Sequence, residues 1–161
     1  MGNQTTNADV ERRLEVLFRE EAPRLWRSLL LSTQDPEVAS DAVAEAFAQA
    51  LRRGADLREP LAWVWRVAFR VAAGEMKARR QTRELGFDPG YEVPEPLFDL
   101  IRALRTLSEH QRTAVVLADY AGYSHRQIAT VLGSTVAAVG VHVHRARKRL
   151  REMLEDDDDP S

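Results

Sequence analysis

The chain has 161 residues, with 23 Lys and Arg against 25 Asp and Glu, a formal charge of −2 and no cysteine. That length suits one ordinary domain or two small ones, and the missing cysteine excludes disulfides, thiolate metal sites and a Cys nucleophile. The polar start "MGNQTTNADVERR" has no apolar h-region, and no apolar run approaches the roughly 18 residues that span a bilayer, so a soluble cytoplasmic chain without a membrane partner is expected.

Leu14, Leu17, Phe18, Leu25, Trp26, Leu29 and Leu30 recur at helical spacing and predict one or two helices, with Pro23 at a start or a kink. "QDPEVASDAVAEAFAQALRRG" reads as the next helix. Asp35 is its N-cap, Pro36 its first position, Gly54 its stop, and Val43, Ala46, Phe47, Ala50 and Leu51 its apolar stripe. After the loop "GADLREP" comes a long helix, "LAWVWRVAFRVAAGEMKARRQ". Leu61, Val64, Trp65, Ala68, Val71 and Ala72 face a core, while Arg66, Arg70, Lys77 and Arg80 point elsewhere. "ELGFDPGYEVPEP" mixes Pro and Gly with acids and reads as an interdomain linker.

Beyond it, Leu97, Leu100, Ile101 and Leu104 mark a short helix. Ser108 caps the next with Gln111 closing a capping box, Ser124 caps "HRQIATVL" with Gln127, and Thr135 caps the last, from about Val136 to Leu154. The fold class is all-α: two small helical domains joined by a Pro/Gly/acidic linker. The boundaries are residues 8–83, linker 84–96, residues 97–154, and an acidic disordered tail 155–161.

The last two capped helices have the punctuation of a helix-turn-helix. Ala129 is small where two helices cross, Gly133 supplies the turn, and Val139 returns to the core. Val136, Val139, Val143, Ala146, Leu150 and Met153 form the expected buried stripe. Thr135, Ala137, Ala138, Val141, His142, Arg145, Lys148 and Arg149 face outward, and Ser124 and Arg126 stand at the start of the first helix. The early residues suit the major groove, where apolar groups meet thymine methyls and His142 bonds a base edge or phosphate. The later donors, Arg145, Arg147, Lys148, Arg149 and Arg151, suit phosphates. Together with the stripe "RVAFRVAAGEMKARRQTR", this makes two separated basic surfaces, a pattern that points to polyanion contact at two places.

The segment "LRTLSEHQRTAVVLADYAGYSHRQIATVLGSTVAAVGVHVHRARKRLREML" resembles the fourth conserved region of bacterial sigma factors, especially the extracytoplasmic-function (ECF) group. Its matching features are Leu107, Arg112, the Tyr-Ser pair before the turn, Ile128-Ala129, Gly133, Val139 and Arg145-Ala146-Arg147. "ASDAVAEAFAQAL" resembles the helix of the second region that docks on the polymerase β′ clamp, and "LAWVWRVAFRVAAGEMKARR" the helix that contacts the minus-ten element. The chain departs from the family pattern at Gln127, at Ala137-Ala138-Val139-Gly140-Val141, and at Ala44, Arg70 and Gly74.

The resemblance implies a factor that binds core RNA polymerase through the β′ clamp and the β flap and reads promoter DNA. It implies clamp contacts at Asp41, Glu45 and Gln49, and promoter contacts in the N-terminal half at Arg58, Arg66, Arg70, Lys77, Arg79 and Arg80. The loop from Gly54 to Pro60 would take a flipped base. An anti-sigma factor is a typical partner of the family. Catalysis, metal, cofactor and small-molecule substrate are not expected: His110, His125, His142 and His144 lack ligand spacing, and there is no phosphate loop. Two alternatives stay open on sequence. One is a helix-turn-helix regulator acting on duplex DNA without polymerase; the other is a degenerate sigma-like interaction module.

Overall fold

The computed structural model describes residues 6–82 and 95–158, and all regular structure among them is helical. Helix α1, Asn7–Thr33, begins where the Thr6 hydroxyl accepts from the Asp9 N–H (3.3 Å). It runs unbroken through Pro23 and ends at Gln34, whose φ of 60° turns the chain back. The one-or-two-helix ambiguity thus resolves to one helix. Leu14 and Leu25 on either side of the proline are both buried, so packing holds the axis together.

Helix α2, Pro36–Arg53, has the expected punctuation: the Asp35 carboxylate accepts from the N–H groups of Glu37 (3.0 Å) and Val38 (3.2 Å). A single 3₁₀ turn, Gly54–Asp56, leads to α3, Pro60–Thr82. Ala39, Ala42, Ala46 and Ala50 are all fully buried on α2. These small side chains let α1 and α3 come close on both flanks, with Leu25, Leu29, Leu30, Val64 and Trp65 filling the space between. Leu51 and Leu61, expected in the core, are exposed, as is Phe18. Ala50 takes the crossing position instead, and Leu51, one residue on, is swung some 100° away from it.

The C-terminal half comprises α4 (Pro96–Leu104), α5 (Glu109–Val115), α6 (His125–Leu132) and α7 (Val136–Asp157). Both predicted capping boxes form: Ser108 with Gln111, and Ser124 with Gln127. Past α5 the helix widens to i→i+5 bonding over Val116–Tyr120, and the Ala121 N–H reaches the Val116 carbonyl at 2.9 Å. Nothing in the side-chain pattern announces this bulge. Helix α7 continues through Asp157, so Glu155–Asp157 of the expected disordered tail are helical. Residues 159–161, residue 83 and most of the expected linker, residues 84–94, lie outside the described residues. Among the described residues no single helix is long and apolar enough to cross a membrane.

The two halves are packed on each other. α1 lies against α4, α5 and the widened turn, and α3 lies against α6. Trp65 of α3 meets Tyr123 edge-on at 5.1 Å between ring centres, and the buried residues of both halves form one apolar cluster. Arg112 fastens the seam from within. Its guanidinium donates to the carbonyls of Leu104 (3.2 Å), Leu107 (3.2 Å) and Ser32 (3.3 Å), and burial holds its pKa below the ordinary arginine value.

Candidate nucleic-acid interface

The motif in α6 and α7 is built from its caps. The Ser124 hydroxyl accepts from Gln127 N (3.2 Å) while Gln127 Oε1 accepts from Ser124 N (2.9 Å), so the reciprocal box needs no glutamate charge. Gly133 sits at φ 61°, a left-handed position costly for any residue with a Cβ, and the Ser134 N–H closes back on Ala129 O at 2.9 Å. Thr135 Oγ1 accepts from Ala138 N (3.1 Å) and starts α7. The axes of α6 and α7 differ by 107°, within the range of helix-turn-helix units. Ile128, Ala129, Val139, Val143 and Ala146 close the crossing.

That core leaves Thr135, Ala137 and Val141 exposed at the start of α7, with Ala138 half-buried beside them. Val136 belongs to this surface too. It was expected in the buried stripe but is half exposed, because the first turn of α7 projects beyond the crossing and reaches the core only at Val139. Gly140 is not on the outer face: a Cβ there would lie 3.7 Å from the His125 ring, in ordinary contact. His142 turns inward as well. Its ring stacks on His110 at 5.5 Å and its Nδ1 is inaccessible, so the expected base contact is not offered by that nitrogen.

Further along α7, Arg145, Lys148 and Arg149 are exposed and have no carboxylate partner among the described residues. Arg147 differs: its Nη2 and Nε reach the Asp119 carboxylate at 2.6 and 3.0 Å, and that bond raises its pKa. Arg147, expected at a phosphate, thus ties α7 to the widened turn. Ser124 and Arg126, at the start of α6, are exposed.

In the N-terminal half, Arg58, Arg70 and Lys77 are exposed, and Arg66 is half-buried with its Nε unpartnered among the described residues. Arg79, expected at a promoter contact, is engaged within the chain. It bonds Asp35 (2.6 Å) and Glu37 (3.2 Å), clipping the end of α3 to the start of α2. Burial alone would lower its pKa, but the Glu37 bond and the Asp35 charge outweigh burial and raise it. Arg80 pairs with Glu109 of α5. Trp65 is buried, whereas Trp63 is half-exposed under the Arg53 guanidinium, 5.9 Å from the ring centre.

On α2, Asp41 is exposed and Glu45 and Gln49 are half-buried. Gln49 donates to Glu45 at 2.8 Å, with Arg52 at 3.1 Å, and the Gln49 bond leads in holding the Glu45 carboxyl below its usual pKa. Glu75 of α3 is pushed up by burial first and then by Asp41. Among the described residues no group of His, Asp or Glu is placed to hold a metal ion.

Residues 97–150 match the family model "Sigma-70, region 4". The RNA polymerase sigma-E factor of Streptomyces antibioticus is 31% identical over 163 aligned positions, covering 89% of this chain and 88% of the relative. The ECF RNA polymerase sigma factor SigL of Mycobacterium tuberculosis is 28% identical, covering 89% of each. The fold is also similar to the sigma factor RpoE of Bartonella quintana, solved in complex with the anti-sigma factor NepR, with a TM-score of 0.73 at 22% identity over 89% of this chain and 98% of that one. Family match, full-length relatives and a capped helix-turn-helix with an exposed basic face all agree: the chain belongs to the ECF group of RNA polymerase sigma factors, the subunits through which RNA polymerase recognises promoters.

Proposed function

We propose that residues 8–83 act as the second sigma region, residues 97–154 as the fourth, and residues 84–96 as the linker between them. Core RNA polymerase is held on two surfaces. Asp41, Glu45 and Gln49 meet basic residues of the β′ clamp, with Asp41 the least engaged of the three within the chain. The C-terminal half meets the β flap. Promoter DNA is read by Thr135, Val136, Ala137, Ala138 and Val141 and gripped at phosphates by Ser124, Arg126, Arg145, Lys148 and Arg149. Arg58, Arg66, Arg70 and Lys77 face the melted element. Each contact is weak alone, and polymerase tethering raises the effective concentration of the others. An anti-sigma factor is the regulatory partner we assign, as RpoE has in NepR. The chain carries out no chemistry of its own.

The observation that carries this reading is the outer face of α7, where exposed small and apolar residues precede cations with no carboxylate partner among the described residues, on a capped second helix. The test is transcription by core polymerase with and without the chain, on fragments of its source genome. Specific initiation is expected, and Arg145→Ala should abolish it while sparing polymerase association. DNA binding with no polymerase association would replace this reading with a polymerase-independent regulator. Association without initiation would replace it with an interaction module.

A further inference from the structure

Helix α7 meets solvent in two stretches of different chemistry. Between Val136 and Val141 no side chain carries a hydrogen-bonding group. Tertiary packing makes this end less polar still. His142 stacks on His110 with its Nδ1 inaccessible, and Gly140 lies toward the His125 ring and brings no side chain. Thr135 gives its hydroxyl oxygen to the Ala138 N–H as the cap. What stays exposed over the first two turns is Val136, at 50%, Ala137, and Val141, at 45%. Exposed polar side chains resume only at His144 and Arg145, in the third turn.

The cations that follow fix the kind of occupant. Arg145, Lys148 and Arg149 are exposed with no carboxylate partner among the described residues, which suits a polyanion and not an apolar protein groove. On the floor of the major groove each base pair presents donors and acceptors, and the one apolar group is the C5 methyl of thymine. Reading guanine takes an Arg or Lys fork, and α7 has none in its first two turns. A valine set over a cytosine amino group or a guanine O6 takes that atom from water and returns no hydrogen bond. A valine over a methyl carries no such penalty. 5-Methylcytosine holds a methyl at the same ring position, so the chemistry recognised is the C5-methyl edge of a pyrimidine.

We propose that the apolar start of α7 reads the upstream promoter element through C5 methyl groups, with Val136 and Val141 as the specificity-determining side chains. This rests on the promoter role assigned above to the same surface. The later cations supply affinity and register, and the valines decide which base pairs are accepted. The element is therefore thymine-rich, and its recognition responds to cytosine methylation.

The test starts from a fragment on which the full chain and core polymerase initiate. About one helical turn of its upstream region, ~10 base pairs, is randomised and the bound pool selected. Thymine enrichment is expected. Deoxyuridine, which is thymidine without the methyl, then replaces each selected thymine in a labelled duplex, and anisotropy reports holoenzyme affinity. Each methyl removed from under a valine should weaken binding about fourfold, the equivalent of one methylene left unburied. At the same pair, 5-methylcytosine·guanine should bind about fourfold tighter than plain cytosine·guanine, which separates the methyl from the rest of the base. In the double variant Val136→Ala, Val141→Ala both differences should shrink below about twofold, and alanine, the better helix former, keeps α7 folded. Deoxyuridine duplexes that bind as tightly as thymine ones, or a penalty unchanged in the double variant, overturn methyl reading and leave promoter binding in place. A chain that supports no initiation, or a pool with no enriched sequence, strikes the promoter role of α7 itself and this inference with it.

Discussion

The cations of α7 divide into two classes that a salt titration should separate. Arg145, Lys148 and Arg149 are exposed and unpaired among the described residues, whereas Arg147 is engaged by Asp119 at 2.6 and 3.0 Å. Each phosphate neutralised contributes about 0.9 to the slope of log affinity against log salt. Changing Arg145, Lys148 and Arg149 together to Gln should therefore flatten that slope by about 2.7. Over a fourfold rise in salt the variant should lose roughly 40-fold less affinity than wild type. Arg147→Gln should leave the slope unchanged. It removes a half-exposed ion pair worth at most about 1 kcal/mol, so folding should survive. The assay is anisotropy of a labelled upstream promoter duplex with the assembled holoenzyme at several salt concentrations; comparing variants cancels polymerase's own contacts. A flattened slope for Arg147→Gln, or an unchanged one for the triple variant, would refute the division.

Three further outcomes are expected. Gly133→Ala places a Cβ at φ 61° and should cost about 1–2 kcal/mol in urea denaturation, although nothing lies within 4 Å of the added atom. Arg112→Ala removes the donor to three carbonyls along the seam and should cost about 3 kcal/mol, with Arg112→Lys recovering only part because it lacks the planar fork. Glu75 has a raised pKa, so the folded state binds its proton more tightly than the unfolded chain does. Its contribution is then favourable near the ordinary carboxylate range and is lost as pH rises through the raised value. Glu75→Gln should abolish that loss, seen as a smaller drop in stability between acid and neutral pH.

Much of the local architecture was legible because it is written in short-range chemistry. Asp35, Ser108, Ser124 and Thr135 each satisfy N–H groups two or three residues ahead, a relation that spacing alone reveals. Gly133 was equally readable, since a left-handed turn between capped helices needs it. Errors came at the margins of helical stripes. Leu51 and Val136 fit the period of their helices but fall where no neighbouring helix covers them. A period says which face a residue shares, not how far the covering element extends.

The charged residues show the same division more sharply. From sequence, Arg79, Arg80 and Arg147 were indistinguishable from Arg70 or Arg149. Tertiary contacts placed Asp35 and Glu37 around Arg79, Glu109 beside Arg80 and Asp119 beside Arg147, from 28 to 44 residues away. Helix identity, caps and the turn were fixed locally by hydrogen bonds between near neighbours, and the family motif with them. Which cations stay free, and whether the halves stand apart or fold together, depends on groups distant in the chain. Arg24 meeting Ala121, 97 residues on, is a contact of that kind, made only once α1, α3 and the widened turn are packed.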